Sequence, residues 1–315
     1  MIDLNRNIQK FFAFAKTRHN IYIKRQTGAK YPWTTDPILG TYRFTNIYRE
    51  LDATTIALRV MTDTIFDQET VLPFIIQMRW LNRRETWKTM LDYAGGDVCV
   101  LADHLVSPNS LDKIKDHIVK TMPYGPWVTG AYIIKTPNGM NKLDGVFDVM
   151  KKFVTQQKPF RIRLRKEVAE PLSWYHVSND MLQNKNTYTL EDTWEWLKQF
   201  ECQGQFTAYE AVSDFRHTDL LNSAPDIMTW ANAGPGAMRG LNRIYERSIF
   251  NTSRSTDWQS EMQNLLRLSQ QPEIWPSDQE YWKPWEMREV EHTLCEFDKY
   301  ERVRLKEGHP RGKYP

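Results

Sequence analysis

Apolar residues recur about every 3.6 positions along most of this chain, which is the period of an amphipathic helix. Residues 5–25 show the pattern clearly, with Ile8, Phe11, Phe12 and Ala15 on one side. The same period predicts further helices at Phe66–Trp80 across Pro73, Leu111–Thr121, Leu190–Phe200, Trp258–Ser269 and Trp285–Leu305. Because such segments occupy both ends and no linker separates them, we expect one helical enzyme over 1–315, with its N- and C-terminal helices packed together.

Strand signals are few. The alternation in Trp127–Thr136, closed by a turn at Pro137-Asn138-Gly139, is the strongest, and Phe160–Leu164 is a weaker one. Neither belongs to a strand–helix–strand pattern, and the chain has no phosphate loop of the GxGxxG or GxxxxGK[ST] type. The sequence therefore predicts an all-α fold with a minor strand element.

Charge and cysteine content exclude several classes of protein. The 315 residues include 42 lysines and arginines against 39 acidic residues, which is too even a balance for a histone-like polycation. Cys99, Cys202 and Cys295 form no CxxC pair, so neither a disulfide framework nor a zinc knuckle is expected. No apolar stretch reaches the roughly 18 residues of a membrane span, and the N-terminus lacks a signal-peptide cleavage site. We expect a cytoplasmic protein.

A helix is predicted to start at Asp36-Pro37, because aspartate caps helix N-termini and proline favours the first helical position. The helix is predicted to continue through residue 52, and its i,i+3 spacing forms one polar stripe of Arg43, Asn46, Arg49 and Asp52. A solvated face is the ordinary explanation, but such faces usually carry lysine and glutamate. Arginine and asparagine instead make fixed, multi-pronged hydrogen bonds to phosphates and bases, which favours recognition.

Residues 200–245 contain two loops whose chemistry suits phosphate contacts. The pentapeptide Gly204-Gln205-Phe206-Thr207-Ala208 has the form of a hairpin turn between short helices. In such a turn, backbone amides bind a DNA phosphate. A second tight loop, from Gly234 to Gly236, opens a helix that carries Arg239. The alternative for both loops is ordinary turn chemistry at a helix end.

The C-terminal region gathers groups suited to acid–base chemistry. Helical spacing places His292 and Glu296 one turn apart, with Cys295 on the adjoining flank. One helix supplies too few ligands for a metal, so a buried polar network or an acid/base cluster is favoured over a metal site. Residues 299–315 hold six lysines and arginines, Lys299 and Arg302 among them, against two glutamates, which suits a polyanionic partner.

Four long segments carry a family resemblance: WTTDPILGTYRFTNIYRELDATT, GAYIIKTPNGMNK, GPGAMRGLNRI and VEHTLCEFDKYERVRLKEGHPRGKY. From about Tyr31 to Tyr314 the chain resembles the bacteriophage α-glutamyl/putrescinyl thymine pyrophosphorylases, which are amino acid:DNA transferases. A related helical module is attached to phage 5-hydroxymethyluracil DNA kinases. The resemblance implies an all-α fold similar to helix-hairpin-helix DNA glycosylases. Gln205-Phe206 stand where bifunctional glycosylases have glycine and lysine, which argues against a Schiff-base lyase activity.

The resemblance also implies an enzyme of thymine hypermodification. A kinase pyrophosphorylates the hydroxymethyl group of 5-hydroxymethyluracil in DNA, and this family then displaces the pyrophosphate with an amine such as an amino acid or a polyamine. The expected partners are double-stranded DNA carrying that pyrophosphorylated base, the amine and the hydroxymethyluracil DNA kinase, in the cytoplasm of an infected bacterium and not at a membrane.

This chemistry gives each candidate residue a role. Departing pyrophosphate needs cations, and Arg43, Arg49 and Arg239 could supply them, with Asn46 and Asp52 as neighbours in the binding site. Mg²⁺ could accompany the pyrophosphate, but no metal site formed by the protein alone is expected. The reacting base would be flipped out and stacked on aromatic side chains. The amine arrives protonated, so a base must take its proton. The candidates are Asp226, His292, Glu296, Asp36 and Asp52, and the candidate DNA contacts are Gly204, Thr207, Gly234, Gly236, Lys299 and Arg302.

Asp226 is the most specific of the catalytic candidates, because its distance from the hairpin resembles that of the catalytic aspartate in helix-hairpin-helix glycosylases. Its ordinary explanation is an N-cap of a helix that it would begin. Two alternative functions stay open. One is a glycosylase-like enzyme that excises a base, and the other is a non-catalytic DNA-binding module that works with the kinase.

Overall fold

The computed structural model describes residues 5–130, 134–162, 167–253, 256–310 and 312–314, without the side chains of 167–170. These residues form helices and one small sheet, which confirms the all-α prediction with a minor strand element. The helices are α1 (Arg6–Gln26), α2 (Pro37–Thr41), α3 (Ala53–Thr62), α4 (Val71–Leu81), α5 (Arg84–Tyr93), α6 (Val98–Leu105), α7 (Pro108–Thr121), α8 (Lys142–Thr155), α9 (Trp174–Gln183), α10 (Leu190–Leu197), α11 (Gln205–Phe215), α12 (Pro235–Ile244), α13 (Trp258–Ser269) and α14 (Met287–Arg304). Strands β1 (Lys158–Ile162) and β2 (Glu167–Leu172) pair antiparallel, with Lys158 opposite Leu172. Across the described residues, a bilayer-spanning helix is not found.

The chain divides into two compact units. Unit 1 combines residues 1–52 with 227–315, and unit 2 comprises residues 53–226. In unit 1 the N- and C-terminal helices α1 and α14 pack against each other. The expectation of one enzyme over 1–315 stays a prediction.

The core of unit 1 is built on α14. Val290, Leu294 and Phe297 of this helix are buried, and Phe297 meets Phe11 of α1 edge to face with ring centroids 5.6 Å apart. Edge-to-face aromatic pairs stabilise a core beyond the area they bury. The amphipathic pattern of residues 5–25 therefore serves to place α1 on α14.

Helix α12 approaches α14 closely because two glycines, Gly236 and Gly240, face it. A Cβ atom at Gly240 would overlap the Leu294 carbonyl oxygen, and one at Gly236 would overlap the Cys295 sulfur. A backbone carbonyl cannot turn aside as a flexible side chain can. The sequence analysis assigned Gly236 to DNA contact, and this assignment stays a prediction. In the structure Gly236 allows α12 to pack closely on α14.

We predict that Gly240→Ala destabilises the protein, because the new methyl group would push α12 away from the α14 backbone. Overpacking of this kind costs about 1–3 kcal/mol in the free energy of unfolding. Gly40→Ala is the matched control, since a Cβ there would lie an ordinary 3.8 Å from Thr34. Urea unfolding measures both, and equal stability of the two variants would contradict the packing argument.

Unit 2 is centred on α4, in which every residue is buried. Its one buried cation, Arg79, donates to the buried carboxylate of Asp214 on α11 (2.8 Å) and to the hydroxyl of Thr55 on α3 (3.0 Å). A buried charge needs such partners. Three helices of unit 2 are thereby held together by one guanidinium.

Most predicted helices are confirmed. The predicted and observed bounds agree at Trp258–Ser269, and differ by a few residues for α1, α7, α10 and α14. The helix predicted over Phe66–Trp80 is present as α4, preceded by a 3₁₀ turn at Gln68–Thr70, and it accommodates Pro73 in its first turn. Proline is tolerated there because the first N–H groups of a helix have no intrahelical acceptor.

The helix predicted from Asp36 to Asp52 is wrong beyond its first turn. Asp36 caps α2 as expected, accepting from the amides of Ile38 and Leu39. The helix ends at Thr41, because residues 41–43 pair with the C-terminal tail: the Arg43 amide donates to the Gly312 carbonyl (2.9 Å), and the Tyr314 amide donates to Thr41 (3.0 Å). Across the rest of the predicted range, residues 42–52, the structure forms a single 3₁₀ turn at Arg49–Leu51.

The strand prediction at Trp127–Thr136 is not supported where the structure describes it. Residues 127–130 and 134–136 are irregular, and residues 131–133 lie outside the described residues. The turn that follows is confirmed by the Met140 amide, which donates to Pro137 (3.2 Å), with Gly139 at φ 81°. The weaker signal, Phe160–Leu164, is found as part of β1, although residues 163–166 lie outside the described residues.

Candidate functional site

Unit 1 brings side chains from three separate segments into one polar group. Helix α1 supplies one residue, the segment 44–52 supplies three, and α14 supplies two. We call this group the His292 cluster, and it consists of Arg18, Thr45, Asn46, Asp52, His292 and Glu296.

Arg18 fixes the segment 44–52 against α1. The side chain is 3% exposed, and its Nε and Nη2 donate to the Phe44 carbonyl at 3.2 and 2.9 Å. Nη2 also donates to Asn46 Oδ1 at 2.8 Å. Asn46 in turn donates through both its backbone N and its Nδ2 to Asp52 Oδ1, at 3.0 and 2.9 Å. The irregular backbone of this segment is therefore held by a buried hydrogen-bond network.

Two residues of α14, one helical turn apart, hold the other end of the segment. His292 Nε2 lies 2.8 Å from the hydroxyl of the exposed Thr45, and the Thr45 amide donates to Glu296 Oε2 at 3.1 Å. The Lys299 ammonium contacts the second oxygen of Glu296. His292 is half-buried and Glu296 is buried, so His292 is the more exposed residue of this pair.

The surroundings keep the imidazole neutral. Burial lowers the pKa of His292 from its ordinary 6.5, and the Arg49 guanidinium lowers it further, against the opposing effect of Glu296 and Asp52. Burial opposes ionisation of Glu296, yet the charge and the hydrogen bond of the Lys299 ammonium, together with the hydrogen bond from the Thr45 amide, hold the pKa of Glu296 below its usual value. The site thus pairs an unprotonated imidazole with an ionised carboxylate, which is the arrangement that a general base requires.

Burial raises the pKa of Asp52, while the hydrogen bond from the Asn46 amide and the charges of Arg49 and Arg18 act to lower it. The predicted helical stripe of Arg43, Asn46, Arg49 and Asp52 does not exist as a helix face. Asn46 and Asp52 nevertheless meet through the loop, Arg49 acts electrostatically on His292, and Arg43 is exposed. A tertiary network, and not helical spacing, gathers three of these residues around one imidazole.

Two other cations predicted for pyrophosphate or DNA, Arg239 and Arg302, pair with the fully buried carboxylate of Asp298. Arg239 and Arg243 donate to its two oxygens at 2.8 and 2.9 Å, and the Nε of Arg302 lies 3.4 Å from it. The side chains of Arg239 and Arg302 keep about a third of their surface exposed. One buried carboxylate thus holds three guanidinium groups near the surface of unit 1.

Two further candidates of unit 1 lie elsewhere. Asp36 caps α2 and accepts a hydrogen bond from the Tyr300 hydroxyl (2.8 Å) beside a cavity of about 230 Å³. Gly234 precedes Pro235 as the N-cap of α12, as the loop chemistry predicted. Within the described residues, no group of three or more histidine, cysteine or acidic side chains could hold a metal ion.

The candidates of unit 2 have structural roles at helix ends. The two carboxylate oxygens of Asp226 accept from the amides of Leu190 and Glu191 at 2.8 and 3.0 Å, so Asp226 caps α10 and not a helix of its own. Burial raises its pKa, against these two hydrogen bonds. Gly204 starts α11 after α10, as the predicted hairpin requires, and its amide donates to the Thr207 hydroxyl at 3.1 Å.

Sequence reasoning missed two residues of this site, Thr45 and Arg18. Thr45 has no distinguishing spacing in the sequence, but Arg18 does. Its signal was present, because Arg18 follows Phe11 by seven positions and Ala15 by three, and so interrupts the apolar face of α1. A charged residue on an apolar face needs buried partners. Those partners lie about 26 positions away along the chain, and no local pattern reveals them.

An all-α protein with a half-buried acid/base cluster is the class that fold and site define. The family model described as "5-hmdU DNA kinase, helical domain" matches residues 5–309, and the chain belongs to this family. A protein from Bacillus phage SP10 named "5-hmdU DNA kinase" is 24% identical over 323 residues, which cover 92% of this chain and 44% of the phage protein. The chain therefore spans less than half the length of that relative. No solved structure matches the chain.

We predict that Arg18→Gln lowers the free energy of unfolding by about 2 kcal/mol, because it removes hydrogen bonds from a charged donor and leaves buried acceptors unpaired. The control is Arg267→Gln on the exposed face of α13, which should change stability by no more than about 0.5 kcal/mol. Denaturant unfolding gives both values. An Arg18 variant as stable as this control would show that the network does not hold the segment.

Proposed function

We propose that the protein modifies thymine-derived bases in double-stranded DNA. It displaces pyrophosphate from 5-(pyrophosphoryloxymethyl)uracil with an amine, either an amino acid or a polyamine. The observation that carries the proposal is the half-buried imidazole of His292, kept neutral by its surroundings and held by Thr45 beside Glu296. Membership of the 5-hmdU DNA kinase helical-domain family supports hydroxymethyluracil DNA as the substrate.

His292 is the proposed general base. Its neutral imidazole takes a proton from the incoming ammonium group, directly or through the Thr45 hydroxyl. The freed nitrogen lone pair then forms the bond to the methylene carbon as the carbon–oxygen bond breaks, and that bonding pair leaves with pyrophosphate. The second nitrogen proton passes to solvent. Glu296 stabilises the imidazolium that forms, since an opposite charge nearby favours the protonated state.

Arginines near the cluster would bind the leaving group. Arg43 is exposed, lies two residues from Thr45, and has no ion pair among the described residues. Arg49 already acts on His292 through its charge. Cations at the site where negative charge develops lower the barrier to departure. Mg²⁺ would enter with the pyrophosphorylated DNA as part of the substrate, because pyrophosphate itself binds the ion.

The glycosylase-like alternative depends on Asp226, and its carboxylate already accepts two backbone amides at the start of α10. In our proposal Asp226 is a cap. A second candidate function is a DNA-binding module that serves a kinase, and one observation favours it: the phage relative is named as a kinase and is more than twice as long as the matched region.

We predict that mass spectrometry of nucleosides will detect an amine-substituted thymidine after pyrophosphorylated hydroxymethyluracil DNA is incubated with the protein and a mixture of amino acids and polyamines. His292→Gln keeps an amide near Thr45 and removes the base, so single-turnover transfer should fall by about 10²–10⁴-fold with DNA affinity retained. His176→Gln is the control, because His176 is an exposed histidine in unit 2.

Three outcomes would contradict this proposal. Release of a free base would indicate a glycosylase. Intact pyrophosphorylated nucleoside after binding would indicate an accessory module. Full activity of His292→Gln would remove His292 from catalysis.

The pH profile should respond in opposite directions to two substitutions. Arg49 lowers the pKa of His292, so Arg49→Gln should move the acid limb of the transfer rate to higher pH. Asp52 raises that pKa, so Asp52→Asn should move the limb to lower pH. Single-turnover rates with one DNA substrate and one amine across pH 5–8 measure both shifts relative to wild type. An unchanged limb in both variants would show that another group titrates.

A further inference from the structure

The C-terminal tail builds a surface at the end of the segment that carries Thr45. Residues Tyr42 and Lys313 face each other in an antiparallel bridge, next to the two backbone hydrogen bonds that end α2. This pairing places Tyr314 beside Trp33, with ring centroids 5.5 Å apart. We call the result the tail surface, and it consists of Arg25, Tyr31, Trp33, Arg43, Lys313 and Tyr314.

Aromatic rings and guanidinium groups alternate across the tail surface. Arg25 lies over the ring of Trp33 at 5.3 Å and near that of Tyr314 at 5.9 Å, and Arg43 lies over Tyr314 at 5.7 Å. Tyr31 meets Trp33 edge to face at 5.2 Å and is 56% exposed, which leaves much of its ring open to solvent. The indole N–H of Trp33 donates to Ala29, so its polar atom is satisfied and the ring is held in place (2.8 Å).

The charge of the tail surface is one-sided. The segments 24–33, 41–45 and 312–314 contain five cations and no acidic residue; the cations are Lys24, Arg25, Lys30, Arg43 and Lys313. Among the described residues, no ion pair neutralises them, whereas Arg239, Arg243 and Arg302 in the same unit share Asp298. Uncompensated cations on one face attract a polyanion.

We propose that the tail surface binds an unpaired stretch of a DNA strand, with a base stacked on Tyr31 and a phosphate on Arg25. Aromatic rings offer their faces only to bases whose own faces are open, and a duplex keeps its bases covered. Stacking platforms combined with cations are how proteins bind single strands without sequence preference. The inference takes from the proposed function only the identity of the polymer as DNA.

The position of the surface gives it a use in that function. Arg43 is two residues from Thr45, whose hydroxyl bonds to His292. A base leaves the duplex before its methylene group is reached, and the strand beside it loses its pairing. A surface that holds the unpaired strand would keep the flipped base near the His292 cluster.

The test is fluorescence polarisation with a labelled single strand of about 12 nucleotides, the matching duplex, and an abasic oligomer with the same phosphates. We expect the protein to bind the single strand more tightly than the abasic oligomer. Tyr31→Ala should weaken single-strand binding by about ten-fold or more, and Tyr31→Phe should keep it. Tyr124→Ala removes a tyrosine of unit 2 that is more exposed than Tyr31, at 96% against 56%, and should have no effect.

The charge contribution is separable by salt. Arg25→Ala should reduce the slope of log affinity against log salt by about 0.7, the value for one phosphate on a single strand. Lys88→Ala, which removes an exposed cation of unit 2, should leave the slope unchanged. Equal affinity for the abasic oligomer and the single strand, or wild-type binding by Tyr31→Ala, would overturn the proposal.

These results are independent of the transfer reaction. If the Tyr31 and Arg25 variants lose binding while no amine-substituted nucleoside forms, the tail surface stands and the proposed function fails. If transfer occurs and the two variants bind like wild type, the proposed function stands and this inference fails.

Discussion

The candidate site depends on one buried guanidinium, that of Arg18. A charge on the apolar face of a helix must have hydrogen-bond acceptors. Those of Arg18 are the Phe44 carbonyl oxygen and the side-chain oxygen Oδ1 of Asn46. These bonds draw an irregular segment onto α1, and the same segment presents Thr45 to α14. The requirement to satisfy a buried charge therefore assembles α1, the loop and α14 into one cluster.

A second constraint is the close contact between α12 and α14. Gly240 permits it, and the contact brings Arg239 and Arg243 to the fully buried Asp298. Removing Asp298 alone, or the arginines alone, would leave a buried charge unpaired and would lower the free energy of unfolding. Two groups of cations in unit 1 thus differ: Arg239, Arg243 and Arg302 share a buried carboxylate, whereas those of the tail surface are available to a polyanion.

Local pattern was enough to predict much of this fold. The helical period located α1, α7, α10, α13 and α14, and Asp36-Pro37 located the start of α2. It also predicted that His292 and Glu296 would lie together, because i,i+4 neighbours share a helix face whatever surrounds them.

The predictions that were wrong concern features that depend on residues far away in the sequence. The end of α2 depends on Gly312 and Tyr314, about 270 positions away, which take the backbone groups that a longer helix would use. The role of Arg18 depends on Phe44 in the same way. Asp226 caps α10, which precedes it in the chain, and not a helix that begins at Asp226 itself. Helical period and turn chemistry report neighbours in sequence and carry no information on such pairings.

The central claim is that His292 is a neutral, accessible imidazole at physiological pH. The most direct measurement is an NMR titration of protein labelled at histidine, with the His292→Gln variant used to assign one of the seven imidazoles. The account predicts that His292 titrates below the 6.5 of an ordinary histidine. Titration at or above 6.5 would mean that the imidazole is substantially protonated where the reaction needs a base, and would contradict the account.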